Sequence, residues 1–175
     1  TAFLCSQKEE TRRKEVGSVA KVLMEYRKIV TLEPYLDGGD ILNTPESIFI
    51  GLSKRTDERA IKNLSEKIDK NIVPVPVKKG LHLKSAVSYL GNNTLLINPE
   101  RIGADEFRNF QWIEVEEKDS YVANCLVLRN QVIMPSGFST IREKIRQNGF
   151  ETVELEMSEF EKADGGVTCL SLIFP

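Results

Sequence analysis

The sequence predicts an α/β fold made of a repeated unit: two strands that form a hairpin, a helix, and a third strand. Three observations support this prediction. Hairpin patterns begin near Ile41, Ala86 and Cys125, a helical pattern and a further strand follow each of them, and the units recur about every 40 residues. In repeat folds each unit buries its apolar face against its neighbours. The repeat lies in the pattern, because sequence identity between the units is negligible.

The chain opens with part of such a unit. Ala2–Cys5 predicts a strand, Glu9–Tyr26 has helical spacing, and the stretch IVTLE at 29–33 predicts a second strand. The apolar positions of the helix fall on one face and are Val16, Val19, Ala20 and Leu23.

The first complete unit begins with a hairpin at Ile41–Gly51 and ends with the strand IVPVPV at 72–77. Thr56 is the predicted N-cap of the helix between them. The apolar positions of that helix are Ala60, Ile61, Leu64 and Ile68. Because proline cannot donate a hydrogen bond to a neighbouring strand, Pro74 and Pro76 predict that the last segment is either an edge strand or irregular.

Two further units follow in the same order. The second consists of a hairpin at Ala86–Asn98, a short helix near Ala104–Arg108 and the strand WIEV at 112–115. The third consists of a hairpin at Cys125–Met134, a helix at Ser139–Gln147 and the strand TVEL at 152–155.

The end of the chain predicts one more strand. Cys169 opens the apolar stretch CLSLIF at 169–174. An open linear array of repeats normally carries polar caps, and neither end of this chain resembles one. The two partial ends therefore predict a closed ring, in which the final strand joins the unit that contains Ala2–Cys5. Cys169 is then expected at a rim of the ring, where loops converge.

Composition excludes several classes of protein. The net charge is −2, which leaves no basic surface for nucleic acid or an anionic membrane. No apolar run approaches the ~20 residues of a membrane-spanning helix. The three cysteines, Cys5, Cys125 and Cys169, are scattered, which argues against a disulfide framework and for a reducing, cytoplasmic location. With one histidine and no clustered ligands, the sequence predicts no metal site.

Three reactive side chains share one position in the repeat. Cys169, His82 and an acid of LDGGD, either Asp37 or Asp40, each precede the first strand of a unit. In a ring of such units these positions lie at one end of the axis. Because a free thiol has a pKa of about 8.5, a nucleophilic cysteine needs a base or a cation nearby, and a carboxylate can orient the histidine that serves it.

Each of these residues also has an interpretation without chemistry. A lone cysteine before an apolar strand is most often a small buried residue, and a histidine between two leucines is most often structural. LDGGD is by default a tight turn whose glycines, Gly38 and Gly39, adopt positive φ. Position in the repeat alone leaves both interpretations open.

Several sequence blocks resemble one family. In order, they are LDGGDIL, IFIGLSKRT, GLHLKS, YVANCLVL, VIMPSGF and EFEKADGGVTCLSL, and the match runs over Phe3–Phe174. Together they resemble the dimethylarginine dimethylaminohydrolase family of guanidino-modifying enzymes. The resemblance implies a pentein-type α/β propeller of ββαβ units around a pseudo-fivefold axis, incomplete at the N-terminus, with residues 1–175 as a single domain.

The resemblance also implies roles for the reactive side chains. Cys169 in GGVTCLS matches the family nucleophile, His82 in GLHLKS matches the general acid and base, and Asp37 matches the carboxylate that orients the histidine. The implied reaction is hydrolysis of an Nω-methylated arginine to citrulline and dimethylamine through a covalent thiouronium on Cys169. No metal or organic cofactor is implied.

Substrate-binding residues follow from the same comparison. Arg12 in RRKEV and Arg55 in GLSKRT resemble the arginines that hold the α-carboxylate of the substrate. Asp164 in ADGG resembles a carboxylate that faces the guanidinium. Without the resemblance, both arginines would be interpreted as surface residues.

Other functions stay open at this point. An arginine deiminase or an amidinotransferase would use the same cysteine, histidine and acid, and a non-catalytic subunit could bind an arginine-like ligand. Family members also carry, before the position that matches Thr1, a segment with an acidic F-x-E-D-like motif that has no counterpart here. We therefore expect weak activity from this chain alone, and an open edge filled by that segment or by a second copy.

Overall fold

The structure is a computed structural model that describes residues 1–173. Within that range the strands are β1 (Ala2–Cys5), β2 (Ile29–Leu32), β3 (Ile41–Asn43), β4 (Ser47–Leu52), β5 (Asn71–Pro76), β6 (Val87–Gly91), β7 (Thr94–Ile97), β8 (Gln111–Glu114), β9 (Leu126–Leu128), β10 (Gln131–Pro135) and β11 (Glu151–Leu155). The α-helices are α1 (Arg13–Leu23), α2 (Glu58–Ser65), α3 (Ser139–Gln147) and α4 (Ser158–Glu161). Short 3-10 turns connect several of these elements.

Three sheets follow one plan, with strand orders β3-β4-β5, β6-β7-β8 and β9-β10-β11. In each sheet the first two strands form an antiparallel hairpin, and the third returns parallel to the second after a helical segment. The three predicted hairpins and the edge position of β5 are confirmed. The fourth sheet holds only the parallel pair β1 and β2.

Each core cluster joins two neighbouring sheets. The first packs Leu32 and Leu36, which lie in and just after β2, against Ile50 of β4 and the buried face of α2. The second packs Phe49 of β4 against Phe107 and strands β6 and β7. The third packs strands β6 to β8 against β10 and α3. Neighbouring units therefore share their cores, as the repeat predicted.

Two details differ from the sequence-based prediction. The N-cap of α2 is Asp57, whose carboxylate accepts the backbone N–H of Arg59, and not Thr56. The hydroxyl of Thr56 instead donates to Asp40 at 2.6 Å, which takes it away from the helix end. The helix predicted at Glu9–Tyr26 begins as a 3-10 turn at Glu10–Arg12 and continues as α1.

The predicted apolar face of α1 is only partly covered. Ala20 is buried, Val16 and Leu23 are half-buried, and Val19 is exposed. The sheet beside α1 has two strands where the others have three, so it covers less of the helix.

The predicted final strand is not formed in the described residues. Cys169 lies in the 3-10 turn Val167–Leu170, and residues 171–173 form neither helix nor strand. A strand needs a neighbour to receive its backbone hydrogen bonds, and no described strand pairs with this segment. Phe174, the last residue of the prediction, lies outside the described range. None of the described helices has the length and apolar character needed to cross a bilayer.

Candidate active site

Three short turns carry the reactive side chains. The Asp37 turn (Gly38–Asp40) and the His82 turn (Leu83–Ser85) are 3-10 turns that lead into or towards the hairpins at β3 and β6, and each is preceded by the residue for which it is named. The Cys169 turn (Val167–Leu170) has the same form and contains the cysteine as its third residue. The repeated fold thus presents acid, histidine and thiol at related positions.

The acid and the histidine are in direct contact. Nε2 of His82 lies 3.0 Å from Oδ2 of Asp37, whose side chain is only 3% exposed. The other carboxylate oxygen of Asp37 is buried and has no hydrogen-bond partner among the described residues. A buried carboxylate at this distance fixes the orientation of the imidazole.

Gly39 makes room for the histidine ring. A Cβ built on Gly39 would lie 2.6 Å from Cγ and 2.7 Å from Nδ1 of His82, so a larger residue would displace the imidazole. Neither Gly39 nor Gly38 has positive φ, and that part of the turn interpretation was wrong. The glycine that matters allows a close approach and does not supply a left-handed backbone.

Asp40 holds the His82 turn through a hydrogen bond to its backbone. Its carboxylate accepts the backbone N–H of Leu83 at 2.9 Å and the hydroxyls of Ser53 and Thr56 at 2.6 Å each. Asp40 is fully buried. Position in the repeat left Asp37 and Asp40 open as the partner of His82, and the family resemblance implied Asp37. In the structure Asp37 contacts His82, and Asp40 contacts the backbone of the adjoining turn.

Two arginines also face Asp37. A guanidinium nitrogen of Arg12 lies 3.5 Å from Oδ2 of Asp37, and one of Arg55 lies 3.9 Å from the same oxygen. Arg55 is also 4.0 Å from Glu9. Both cations lie at the mouth of the site, where they are available to an anionic group of a ligand.

Cys169 is the exposed thiol of the chain. Its sulfur accepts the backbone N–H of Gly166 at 3.4 Å. The other thiols are poor nucleophiles: burial, assisted by the charge of Asp37, raises the pKa of Cys5 to about 11, and burial also raises the pKa of Cys125.

One cavity of about 580 Å³ brings every predicted site residue together. Its lining includes Arg12, Asp37, Arg55, His82, Asp164 and Cys169. Asp164 is exposed and has φ of 57°, a left-handed conformation that a non-glycine residue seldom adopts and that is often associated with function. A neighbouring cavity of about 490 Å³ shares His82, Asp164 and Cys169.

Sequence reasoning missed three residues of this region: Lys84, Tyr121 and Asn124. All three line the second cavity, and Lys84 lines both. Burial lowers the pKa of Lys84, and the nearby Cys169 and Asp40 oppose that shift. The position of Lys84 two residues after the histidine was an available signal, whereas Tyr121 and Asn124 come from a unit that supplied no predicted site residue.

Comparison with known proteins gives a consistent result. The chain matches the family model described as N,N dimethylarginine dimethylhydrolase, eukaryotic, over residues 1–173. It is 35% identical over 172 residues to the N(G),N(G)-dimethylarginine dimethylaminohydrolase of Pseudomonas aeruginosa, an alignment that covers 94% of this chain and 68% of that protein. The enzyme of the same name from Streptomyces coelicolor is 33% identical over 170 residues, covering 93% of this chain and 65% of that protein.

A solved structure gives the same result for the fold. A cysteine-to-serine mutant of the P. aeruginosa enzyme, complexed with citrulline, superposes with a TM-score of 0.92 at 33% identity, covering 98% of this chain and 70% of that one. This chain therefore spans about two thirds of the length of its relatives.

Three sheets share one strand order and their cores, and one cavity brings together the acid, the histidine and the thiol. These features define an α/β propeller of the pentein class. The chain belongs to the dimethylarginine dimethylaminohydrolase family. The fold and family predicted from the sequence blocks are both confirmed.

Proposed function

We propose that this chain forms the catalytic site of an enzyme that hydrolyses Nω-methylated arginine to citrulline and dimethylamine. The observation that carries the proposal is the single cavity lined by a thiol, a carboxylate-paired histidine, two arginines and a further acid. These groups match the needs of a substrate with a cationic guanidinium at one end and an α-carboxylate at the other.

The proposed reaction begins at the sulfur. The thiolate of Cys169 attacks the central guanidinium carbon, and a C–S bond forms to give a tetrahedral adduct. His82, as the imidazolium, donates its proton to the methylated nitrogen, and the C–N bond breaks to release dimethylamine. The substrate carbon is left as a thiouronium on Cys169.

Water completes the cycle. His82, now neutral, takes a proton from a water molecule that attacks the thiouronium carbon. The C–S bond then breaks, the hydroxyl proton of the adduct passes to solvent as the urea carbonyl of citrulline forms, and the thiolate and the imidazolium are restored. Asp37 orients the ring through its contact with Nε2, and the ring lies beside Gly39.

Binding is assigned to the charged lining of the cavity. Arg12 and Arg55 would leave Asp37 and Glu9 to hold the substrate α-carboxylate, since both guanidinium groups already lie within 4.0 Å of carboxylates. Asp164 would face the substrate guanidinium, because buried or partly buried cations require an anionic partner.

The edge of β1 is the expected site of a partner segment. In the three-stranded sheets the strand before each helix has an antiparallel neighbour, whereas β1 pairs only with β2 among the described residues. We assign that free edge, together with residues 170–173, to the acidic leading segment known in the family, or to a second copy in a homo-oligomer. We further propose that residues 1–175 form one incomplete propeller domain and that the protein functions in the cytoplasm.

Citrulline release tests the proposal. Asymmetric dimethylarginine and arginine are supplied separately to the protein carrying the leading segment, to residues 1–175 alone, and to a Cys169→Ser control. We expect citrulline from dimethylarginine with the segment present, little from residues 1–175 alone, and a loss of at least about 1,000-fold in Cys169→Ser. Faster release from arginine would instead assign an arginine deiminase, and release unaffected by Cys169→Ser would overturn the mechanism.

A further inference from the structure

We propose that Asn124 is a positioning residue that holds the His82 turn and the Cys169 turn in register, so that thiol and imidazole act on the same substrate atom. Asn124 lies between the 3-10 turn Glu117–Ala123 and strand β9. It belongs to a different unit from His82 and has no assigned part in the chemistry. The catalytic consequence rests on the function proposed above, whereas the thiol measurement described below does not.

The amide of Asn124 reaches both turns. Its Nδ2 donates to the backbone carbonyl of Lys84, inside the His82 turn, at 2.9 Å. The same nitrogen donates to Oγ1 of Thr168 at 2.9 Å, and Oδ1 accepts the backbone N–H of Thr168, also at 2.9 Å. Thr168 directly precedes Cys169. One side chain thus ties the residue before the nucleophile to the second residue after the histidine.

The direction of the amide is fixed by its backbone partners. A carbonyl oxygen can only accept and a backbone N–H can only donate, so a flipped amide would lose the bonds to both Lys84 and Thr168. Asn124 is 7% exposed, and a buried polar group without partners is costly. The site therefore requires a donor and an acceptor on one short side chain.

Gly166 shows how closely the Cys169 turn approaches. A Cβ on Gly166 would lie 2.5 Å from Oδ1 of Asn124, so the backbone of the turn rests directly on the amide. The backbone N–H of Gly166 also donates to the sulfur of Cys169. Displacement of Asn124 would therefore move a group that touches the nucleophile.

The backbone on both sides of Asn124 is held by Ser88. The hydroxyl of the buried Ser88 donates to the carbonyl of Ala123 at 2.7 Å and accepts the backbone N–H of Cys125 at 2.9 Å. These bonds fix the residues on both sides of Asn124 and reach neither catalytic turn. Ser88→Ala is consequently a matched control: it loosens the same segment without removing the link between the turns.

The first test compares steady-state kinetics of Asn124→Ala and Ser88→Ala in the full chain. We expect kcat to fall about 100-fold in Asn124→Ala with KM within about threefold, because misalignment of reacting groups costs rate more than binding. Ser88→Ala should keep kcat within about threefold at a comparable fall in Tm. Equal losses of kcat in the two variants would overturn the proposal.

The second test reads the geometry without substrate. Iodoacetamide alkylation of Cys169 is followed by mass spectrometry across pH, with and without His82→Gln. The half-buried Cys5 and the buried Cys125 react slowly, because burial raises the pKa of both thiols. In the native background we expect His82→Gln to change the alkylation profile. In the Asn124→Ala background His82→Gln should change it no further, because the two turns are no longer in register. An unchanged response to His82→Gln in both backgrounds, or an equal response in both, would contradict the proposal.

Two further variants cover the case in which Asn124→Ala fails to fold. Asn124→Asp keeps the shape and the acceptor but removes the donor to Lys84, and Thr168→Val removes one bond and keeps the rest. We expect a fall in kcat of about tenfold in each, with the same loss of response to His82→Gln. Normal alkylation coupling in both would overturn the positioning role. A protein that shows the coupling but releases no citrulline would refute the proposed reaction and leave the role of Asn124 intact.

Discussion

The two halves of the site are held in different ways. On the acid–base side, Asp37 is buried against His82. The buried Asp40 accepts the backbone N–H of Leu83 in the His82 turn, and it also accepts the hydroxyls of Ser53 and Thr56. On the nucleophile side, Cys169 is exposed, and its sulfur accepts the backbone N–H of Gly166 at 3.4 Å. The Asp37 and His82 turns thus belong to the packed units of the fold. The Cys169 turn is joined to those units by side-chain hydrogen bonds, such as those of Asn124.

The two sides of the site therefore have different roles: the acid–base side orients the reacting groups, and the nucleophile side admits the substrate. The histidine and its acid are fixed before any ligand arrives, so they supply the geometry to which the reaction must conform. The cysteine turn borders both cavities and leads to a segment with no regular structure at 171–173, which leaves the thiol open to substrate. Changes on the acid–base side should therefore alter kcat, and changes beside the thiol should alter binding as well.

The strongest test of the acid–base half is Gly39→Ala. The added methyl group would lie 2.6 Å from the His82 ring, which can swing away at little cost to the core because it is half-buried. We expect kcat to fall about 100-fold with little change in Tm. Since His82 is the single histidine of the chain, its imidazole NMR resonance reports the displacement directly.

Gly38→Ala is the control for that variant. A Cβ at Gly38 meets no atom within 4 Å, and its φ is not positive, so alanine fits there without strain. We expect kcat within about threefold of the native value, because the His82 ring is not displaced. Equal losses in the two variants would show that flexibility of the LDGGD turn, and not the position of the ring, controls the rate.

On the nucleophile half, the test is Asp164→Asn. Asparagine tolerates the left-handed φ of 57° at this position, so the substitution removes the charge and keeps the backbone. We expect KM for dimethylarginine to rise about tenfold, which is the usual scale for a lost hydrogen bond to a charged group. Glu159→Gln, which removes an exposed charge paired with Lys162 from the same region, should leave KM unchanged. A similar rise in KM in both variants would show that the net charge of this region, and not a specific contact of Asp164, controls substrate binding.

The sequence was sufficient to predict the repeat and the position of the site, because both predictions depend on local sequence patterns. Period-two alternation and turn residues mark each hairpin, so the three hairpins could be predicted within a few residues. Placement of Asp37 and His82 before equivalent hairpins predicted that they lie together, because register in a repeat fixes which end of the unit a residue occupies. The family resemblance added the two arginines and Asp164.

What the sequence could not supply depends on contacts between distant residues. Position in the repeat does not distinguish Asp37 from Asp40, and Asp37 was chosen by the family resemblance. In the structure the choice depends on contacts, because Ser53, Thr56 and the backbone of Leu83 hydrogen-bond Asp40. Asn124 joins two turns that are 40 and 44 residues away in sequence, a relation that no local pattern encodes. The final strand was predicted from apolar character alone, yet a strand forms only where a partner supplies its hydrogen bonds.

The smallest expected effect is a change in Tm on substitution of Asp57, which lies on the acid–base side at a distance from the reacting groups. Asp57 caps α2 through the N–H of Arg59 at 2.8 Å and also binds the Arg59 side chain, which, with that backbone bond, lowers the pKa of Asp57 to about 2. A carboxyl whose pKa is lowered on folding stabilises the protein above its ordinary pKa near 3.8, and that contribution is lost as the pH falls towards 2. We expect Asp57→Ala to lower Tm by a few degrees at pH 6 with kcat unchanged, and the difference to shrink through that window. Asp57→Asn keeps the cap and removes the charge, so it should show the pH-dependent part alone. A difference in Tm that stays constant from pH 6 to below pH 3 would assign the whole effect to the neutral hydrogen bond, and a fall in kcat would show that α2 transmits strain to Arg55 and the site.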